Sequence, residues 1–149
     1  MKNYVLTPED FLSRKERATL LKVCKEHSEL DLLKGRQTWP IRYMLIDLAL
    51  YSGLRVAEMA ALKLGDIYLG KDSYIIVRHG KGDKQRVVYI DDNLANHLSS
   101  FYEYKSKTLE EPINADSPLF TGQAGKQCPP ITLMKSFKKA IEVAELPNS

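Results

Sequence analysis

The chain has 149 residues, 44% hydrophobic and 28% charged, which is typical of one globular domain with a core of its own. Its longest apolar runs, residues 43–51 and 74–77, are too short to span a bilayer, and no signal-peptide segment is present, so we expect a soluble, cytoplasmic protein without a membrane partner. Cys24 and Cys128 lack a CxxC spacing and a companion histidine, which argues against a disulfide framework or a zinc site and predicts two reduced thiols.

Basic residues are concentrated in the middle of the chain. The net charge of +3 indicates no particular partner by itself. Between Lys34 and Arg86, however, ten basic residues stand against five acidic ones, so this segment carries +5 and leaves −2 for the remainder. Such a concentration suits a polyanionic ligand, although a solvated basic surface without a function explains it equally well.

Two helices are predicted in the first fifty residues. Ser13 and Glu16 have the spacing of a capping box, and apolar residues then recur at helical intervals until about His27, where a polar loop is expected. A second helix is predicted from about Pro40 to Ser52, because proline suits the first turn of a helix. This helix is apolar nearly all round, so we expect it to be buried.

A turn at Gly53 separates the second helix from a short third helix over residues 55–62. Beyond residue 66 the pattern changes to β-branched and aromatic residues in three runs, 67–69, 73–79 and 85–90, separated by turns that contain glycine. These runs predict a three-stranded antiparallel meander whose second turn is formed by residues 80–83.

Two further helices complete the predicted fold. Asp92 is expected to cap a helix that reaches Lys107, and Thr132 is expected to cap a last helix that ends near Glu145. We therefore expect an α+β protein, mainly helical with a three-stranded antiparallel β-sheet. A single domain over residues 1–149 is predicted, which we expect to be incomplete at its C-terminal end, with a lead-in segment at 1–12 and a folded part at 13–146.

Arg55 stands out because it follows the glycine turn directly and begins a helix. Its backbone is therefore held, and its planar set of donors, helped by the amides of a helix N-terminus, suits one phosphate group. Glu58 lies one helical step further on and has the spacing to orient the Arg55 guanidinium. The alternative is an ordinary surface pair worth about 0.2 to 0.5 kcal/mol.

A basic hairpin is predicted over residues 78–86, with the sequence RHGKGDKQR. Its two glycines allow the backbone to approach a ligand closely. Lys81 at the tip is suited to enter a groove and to donate a proton to a leaving oxygen. A solvated turn made of common turn residues is the alternative.

Taken together, the Gly-Leu-Arg-x-x-Glu box, the meander and the GKGxKxR hairpin resemble the tyrosine recombinase, or phage integrase, family over essentially the whole chain. The resemblance implies that Arg55 is the first catalytic arginine, Glu58 its supporting carboxylate and Lys81 the hairpin lysine. It also implies that neighbouring basic residues contact DNA, namely Arg78, His79, Lys84 and Arg86.

The family breaks and rejoins double-stranded DNA through a tyrosine that forms a 3′-phosphotyrosine, without a metal or another cofactor, and its complete members assemble as tetramers on DNA. The resemblance therefore implies a site-specific DNA recombinase. The second family box, His-x-x-Arg, and the nucleophilic tyrosine are expected beyond the last helix; none of the three histidines has an arginine three residues later, and all eight tyrosines precede that place. We therefore expect the chain alone to be inactive in cleavage.

Two other functions stay open. The chain could be a complete small DNA-binding or regulatory module without chemistry, or an unrelated helical interaction domain. A His-x-x-Arg box and a later tyrosine encoded after Ser149 would favour the recombinase, whereas a stop codon would favour the small module. Duplex binding that weakens steeply with salt would argue against the interaction domain.

Overall fold

The computed structural model describes residues 12–78 and 84–146, which form mainly α-helices and one three-stranded sheet. This confirms the predicted α+β fold. No helix within these two ranges is both long and apolar enough to cross a membrane. The elements follow in the order α1 (Arg14–Lys34), α2 (Thr38–Ser52), α3 (Val56–Ala61), β1 (Ile67–Tyr68), β2 (Tyr74–Val77), β3 (Arg86–Tyr89), α4 (Asp92–Lys107) and α5 (Pro130–Val143).

The chain divides into two compact units. The first unit comprises the chain up to Val56 and from Pro130 onward, and it contains α1, α2 and α5. The second unit comprises residues 57–129 and contains the sheet, α4 and all but the first residue of α3. The single domain expected over residues 1–149 stays a prediction.

Helix α1 begins where the capping box predicts. The backbone N–H of Glu16 donates to Ser13 Oγ at 3.1 Å, and the backbone N–H of Ser13 donates to Glu16 Oε1 at 2.8 Å. The predicted end near His27 is wrong, since the helix continues to Lys34 and Gly35 ends it in the left-handed conformation, with φ of 71°. No glycine or proline interrupts residues 28–34, and a tertiary contact forms there that spacing alone does not reveal.

That contact joins α1 to the start of α2. Asp31 is buried, and its Oδ2 accepts the backbone N–H of Trp39 at 2.9 Å. Helix α2 consequently begins at Thr38, two residues before the expected Pro40. Its predicted burial is confirmed by a run of core residues, and α1, α2 and α5 share one apolar cluster formed by Leu12, Leu20, Cys24, Ile46, Leu50, Ala140 and Ile141.

The sheet of the second unit has the strand order β1-β2-β3, with both pairs antiparallel as predicted. Ile75 of β2 pairs with Ile67 of β1 and with Val88 of β3, which sets the register. The strands are shorter than the predicted runs, and the predicted turn at 80–83 lies outside the described residues.

Two predicted caps are wrong. Asp91, not Asp92, caps α4, because its Oδ1 accepts the backbone N–H of Leu94 at 2.9 Å and Asp92 is already helical. Helix α5 begins at Pro130, two residues before the expected cap Thr132. The fixed φ of proline suits the first helical position, where its missing N–H costs no hydrogen bond.

Both cysteines are buried and neither forms a disulfide, which makes their reactivity a test of the packing. Burial raises the pKa of the Cys24 thiol to about 12, so it is neutral at pH 8, and only a thiolate reacts quickly. We expect neither Cys24 nor Cys128 to react with Ellman's reagent within minutes at pH 8, and both to react after unfolding in guanidinium chloride. Rapid labelling of Cys24 in the native protein would contradict this packing.

Candidate functional site

Arg55 lies directly before α3, at the end of a tight turn in the first unit. Gly53 ends α2 with φ of 69°, a conformation that favours glycine over residues with a Cβ. Leu54 is buried, and its backbone N–H donates to Ser52 Oγ at 3.2 Å. The backbone on the N-terminal side of Arg55 is therefore held, while its side chain is half-buried.

Glu58 forms a bidentate ion pair with Arg86 inside the second unit. Nη1 and Nη2 of Arg86 donate to the two carboxylate oxygens at 2.7 and 2.9 Å. This hydrogen bonding raises the pKa of Arg86 above its usual range. The Glu58 side chain is only 7% exposed, so a charged partner is needed to offset its lost hydration. The contact between Glu58 and Arg55 stays a prediction.

A second ion pair, which the sequence analysis missed, joins Arg78 to Asp66. Arg78 Nε donates to Asp66 Oδ1 at 2.5 Å, and the other carboxylate oxygen accepts the backbone N–H of Lys63 at 3.1 Å. The strand register could have predicted this pair. Because Ile67 pairs with Ile75, Asp66 lies opposite residue 76, and Arg78 is its diagonal neighbour on the adjacent strand. Diagonal neighbours in a sheet are within reach of long side chains.

Asp66 is held in place by the backbone around it. It ends a short 3₁₀ turn, Leu64–Asp66, in which the N–H of Leu64 donates to the Ser117 carbonyl at 2.8 Å and that of Gly65 to the Ala115 carbonyl at 3.0 Å. A Cβ on Gly65 would lie 2.9 Å from the Ala115 carbonyl oxygen. Only glycine fits this close approach without a shift of the backbone.

A cavity of about 540 Å³ lies beside these pairs, within the second unit. Charges of both signs line it, among them Glu58, Lys63, Asp66, Arg78 and Asp116. Each guanidinium carries five N–H donors, so a carboxylate partner leaves others for an anion. Across the described ranges, the His, Cys, Asp and Glu side chains form no group of three that could hold a metal ion.

The other predicted site residues fall into two groups. Lys84 is exposed and lies two residues before β3. His79 and Lys81 lie outside the described residues. Among the residues predicted for the site, the structure thus brings Glu58 and Arg86 together. Arg78 pairs with Asp66, a residue that the sequence analysis did not select.

Comparisons with known proteins agree with this architecture. The profile of the phage integrase family matches residues 10–148. Tyrosine recombinase XerC of Bradyrhizobium diazoefficiens is 31% identical over 116 residues, which cover 76% of this chain and 35% of that protein. Tyrosine recombinase XerA of Thermococcus kodakarensis is 44% identical over 70 residues, which cover 46% of this chain and 24% of that protein. The chain therefore spans about a third or less of the length of these relatives.

Solved structures share the fold. A crystal structure of the XerH site-specific recombinase bound to a palindromic difH substrate, a post-cleavage complex, has a TM-score of 0.72 at 24% identity, covering 93% of this chain and 36% of that one. A crystal structure of XerA recombinase has a TM-score of 0.70 at 20% identity, covering 93% of this chain and 44% of that one.

Proposed function

Because the chain belongs to the phage integrase family, we propose that it is part of a site-specific DNA recombinase that breaks and rejoins double-stranded DNA through a 3′-phosphotyrosine. The observation that carries this proposal is the family match over residues 10–148, which includes both the Gly-Leu-Arg-x-x-Glu box and the basic sequence segment 78–86. The XerH neighbour, whose structure holds its difH substrate, supports DNA as the ligand.

Arg55 is proposed to bind non-bridging oxygens of the scissile phosphate. A guanidinium presents paired donors to such oxygens, and the turn at Gly53 holds the backbone that carries it. Glu58 is proposed to support this site through its negative charge. Lys81 is proposed to donate a proton to the departing 5′-oxygen, for which a compact ammonium is suited.

Four further basic residues are proposed to bind the DNA backbone beside the cleavage point. The Arg78 and Arg86 side chains are 50% and 42% exposed, so each presents part of its guanidinium to solvent despite its carboxylate partner. In the sequence, His79 and Lys84 lie between the end of β2 and the start of β3. In this scheme the side chains supply the positive charge that phosphoryl transfer needs, and no cofactor is required.

The chain alone is proposed to bind DNA without cleaving it. All eight tyrosines precede the position where the family places its nucleophile, so that group is expected elsewhere in the protein. The complete protein is proposed to act in the cytoplasm as a tetramer on DNA.

Salt dependence of duplex binding tests the proposal on the chain as it stands. If about four phosphates are neutralised, affinity for a labelled duplex should fall roughly 10²-fold between 50 and 200 mM salt. Lys84→Ala should reduce the slope of log affinity against log salt by about one. Fluorescence anisotropy over a salt series measures both.

The matched control is Lys107→Ala, which removes the same charge from an exposed position on α4. We expect it to leave the slope unchanged. A wild-type affinity that does not respond to salt would overturn the proposal and favour an interaction domain.

A further inference from the structure

Arg42 on α2 is held by an aromatic ring and a hydroxyl group. The carbon of its guanidinium lies 4.5 Å from the centroid of the Trp39 ring, and its Nε donates to Ser136 Oγ of α5 at 3.0 Å. Arg78 and Arg86, by contrast, each form an ion pair with a carboxylate. Among the described residues, no carboxylate forms an ion pair with Arg42.

The ring beside Arg42 is itself fixed by α1. The His27 ring stacks on the Trp39 ring with a centroid distance of 4.5 Å and 24° between the planes. The backbone N–H of Trp39 donates to Oδ2 of the buried Asp31 at 2.9 Å. Because α1, α2 and α5 all contribute to its position, the Arg42 guanidinium loses little conformational freedom when it binds a ligand.

The charge of Arg42 is only partly compensated by its surroundings. Partial burial lowers the pKa of Arg42, whereas electrostatic interactions with Cys24 and Asp31 raise it. Arginine nevertheless stays protonated in proteins. The Asp31 carboxylate binds the backbone of Trp39 and forms no ion pair with Arg42 in the described structure. A partly buried cation without an adjacent carboxylate favours an anion as its ligand.

The remaining donors of Arg42 suit a phosphate group. A guanidinium has five N–H groups, and within the two described ranges only the one on Nε has a hydrogen-bond partner. The N–H groups on Nη1 and Nη2 lie in one plane and match two non-bridging oxygens of a phosphate. Arg42 is partly exposed, so that a ligand can reach it.

We propose that Arg42 binds a phosphate of the DNA backbone, at a site in which Trp39 and Ser136 hold its guanidinium. This inference rests on the proposed function, in which the chain binds double-stranded DNA. Since a helix rises about 1.5 Å per residue, the length of α2 from Arg42 to Ser52, just before the turn that carries Arg55, is about 15 Å. This separation favours a phosphate other than the scissile one, so Arg42 contributes to affinity and not to cleavage.

A purely structural role of Arg42 makes a different prediction. If Arg42 only joins α2 to α5, its loss should lower the free energy of unfolding and leave the salt dependence of DNA binding unchanged. If Arg42 binds a phosphate, its loss should reduce the slope of log affinity against log salt by about one. The reduction should be the same for unrelated duplex sequences, because phosphate contacts carry no sequence information.

The experiment measures duplex binding by fluorescence anisotropy over a salt series, with circular dichroism to show that each variant is folded. The matched control for Arg42→Gln is Arg17→Gln, because Arg17 is a partly buried arginine on α1 of the same unit. We expect Arg42→Gln to reduce the slope by about one and Arg17→Gln to leave it unchanged. Arg42→Lys keeps the charge but not the planar donors, so it should retain most of the slope and bind more weakly than wild type.

The same assay tests the role of Ser136. Ser136→Ala removes the acceptor of Arg42 Nε without a change of charge, and it should weaken binding roughly 2- to 10-fold, as expected for one hydrogen bond. The double variant with Arg42→Gln should bind no more weakly than Arg42→Gln alone. Additive losses would overturn the assignment of Ser136 to this site.

Fluorescence of Trp39 provides a second readout. Trp39 is the single tryptophan of the chain, so its emission reports on the ring that Arg42 contacts. An unlabelled duplex should change the emission of wild type at the concentrations at which binding occurs, and should have a much smaller effect on Arg42→Gln. An equal change in both proteins would overturn the inference, because the signal would then not depend on Arg42.

The outcomes separate the inference from the proposed function. If Arg42→Gln binds DNA like Arg17→Gln while Lys84→Ala reduces the slope, the inference fails and the proposed function stands. A loss of stability in Arg42→Gln with the wild-type slope would show a structural role and would likewise overturn the inference. If the wild-type chain shows no salt-dependent binding, the proposed function fails, and so does the inference that rests on it.

Discussion

Replacing Lys105 with methionine is expected to lower the free energy of unfolding by about 3 kcal/mol, the low end of the range for breaking a buried ion pair. The Lys105 side chain on α4 is 1% exposed, and its Nζ donates to Glu111 Oε1 at 2.5 Å, to the Leu119 carbonyl at 3.0 Å and to Thr121 Oγ1 at 3.1 Å. Methionine has a similar volume but removes the ammonium from all three acceptors, and Glu111 Oε1 keeps only the Thr121 hydroxyl, which donates to it at 2.8 Å. Because Glu111 is 24% exposed, water recovers part of the loss.

Urea unfolding followed by circular dichroism measures this effect. The control is Lys107→Met on the same helix, because Lys107 and Glu103 form an exposed pair whose side chains are 74% and 68% exposed. Exposed pairs contribute little, so the control should change stability by no more than about 0.5 kcal/mol. Equal losses in the two variants would show that the buried network of Lys105 is not a major stabilising feature.

The Lys105 network also bears on the candidate site. Its acceptors lie in residues 109–121, and the same segment supplies the carbonyls of Ala115 and Ser117 that hold the 3₁₀ turn ending at Asp66. Loss of the ammonium is therefore expected to loosen the turn as well as α4. Stability and the placement of Arg78 are thus linked through one segment.

Local signals predicted the element order and a few boundaries, such as the start of α1 and the end of α2. The capping box at Ser13 and the break at Gly53 act within a few residues, so spacing in the sequence identified both. The end of α1 was missed because it depends on the contact from Asp31 to the backbone of Trp39, which forms only when α1 and α2 pack. Lys105 shows the same limit, since its spacing from Leu98 and Phe101 continues the buried face of α4 while its charge argues for exposure.

The candidate site shows the same difference between features set by neighbouring residues and contacts between residues far apart in the sequence. Arg55 was singled out by a turn next to it in the sequence, and that turn is present. The partners of Glu58 and Arg78 lie 28 and 12 residues away, and helical spacing indicated only the nearer candidate, Arg55, for Glu58. Strand register would have suggested the contact of Arg78 with Asp66, whereas the pair of Glu58 with Arg86 depends on how α3 packs against the sheet.

Arg55→Ala is expected to reduce DNA cleavage about 10²- to 10³-fold in the complete recombinase of which we propose this chain to be a part. Loss of one preorganised donor to a charge that develops in the transition state costs about 2.7 to 4 kcal/mol in the barrier. The fold should survive, because the Arg55 side chain is half-buried and absent from the apolar cluster of the first unit. A nicked duplex that traps the covalent protein–DNA complex on a denaturing gel measures the rate.

Arg36→Ala is the matched control, because it removes the same charge from an exposed position just after α1. If Arg55 contributes only positive charge, both variants should cleave DNA more slowly to a similar extent, and both should bind the duplex more weakly at high salt. A specific role for Arg55 in the transition state requires a lower rate at saturating DNA in Arg55→Ala alone, with near-native affinity for the duplex. Cleavage by Arg55→Ala at the wild-type rate would remove Arg55 from the chemistry and leave the non-bridging oxygens of the phosphate without their proposed ligand in this chain.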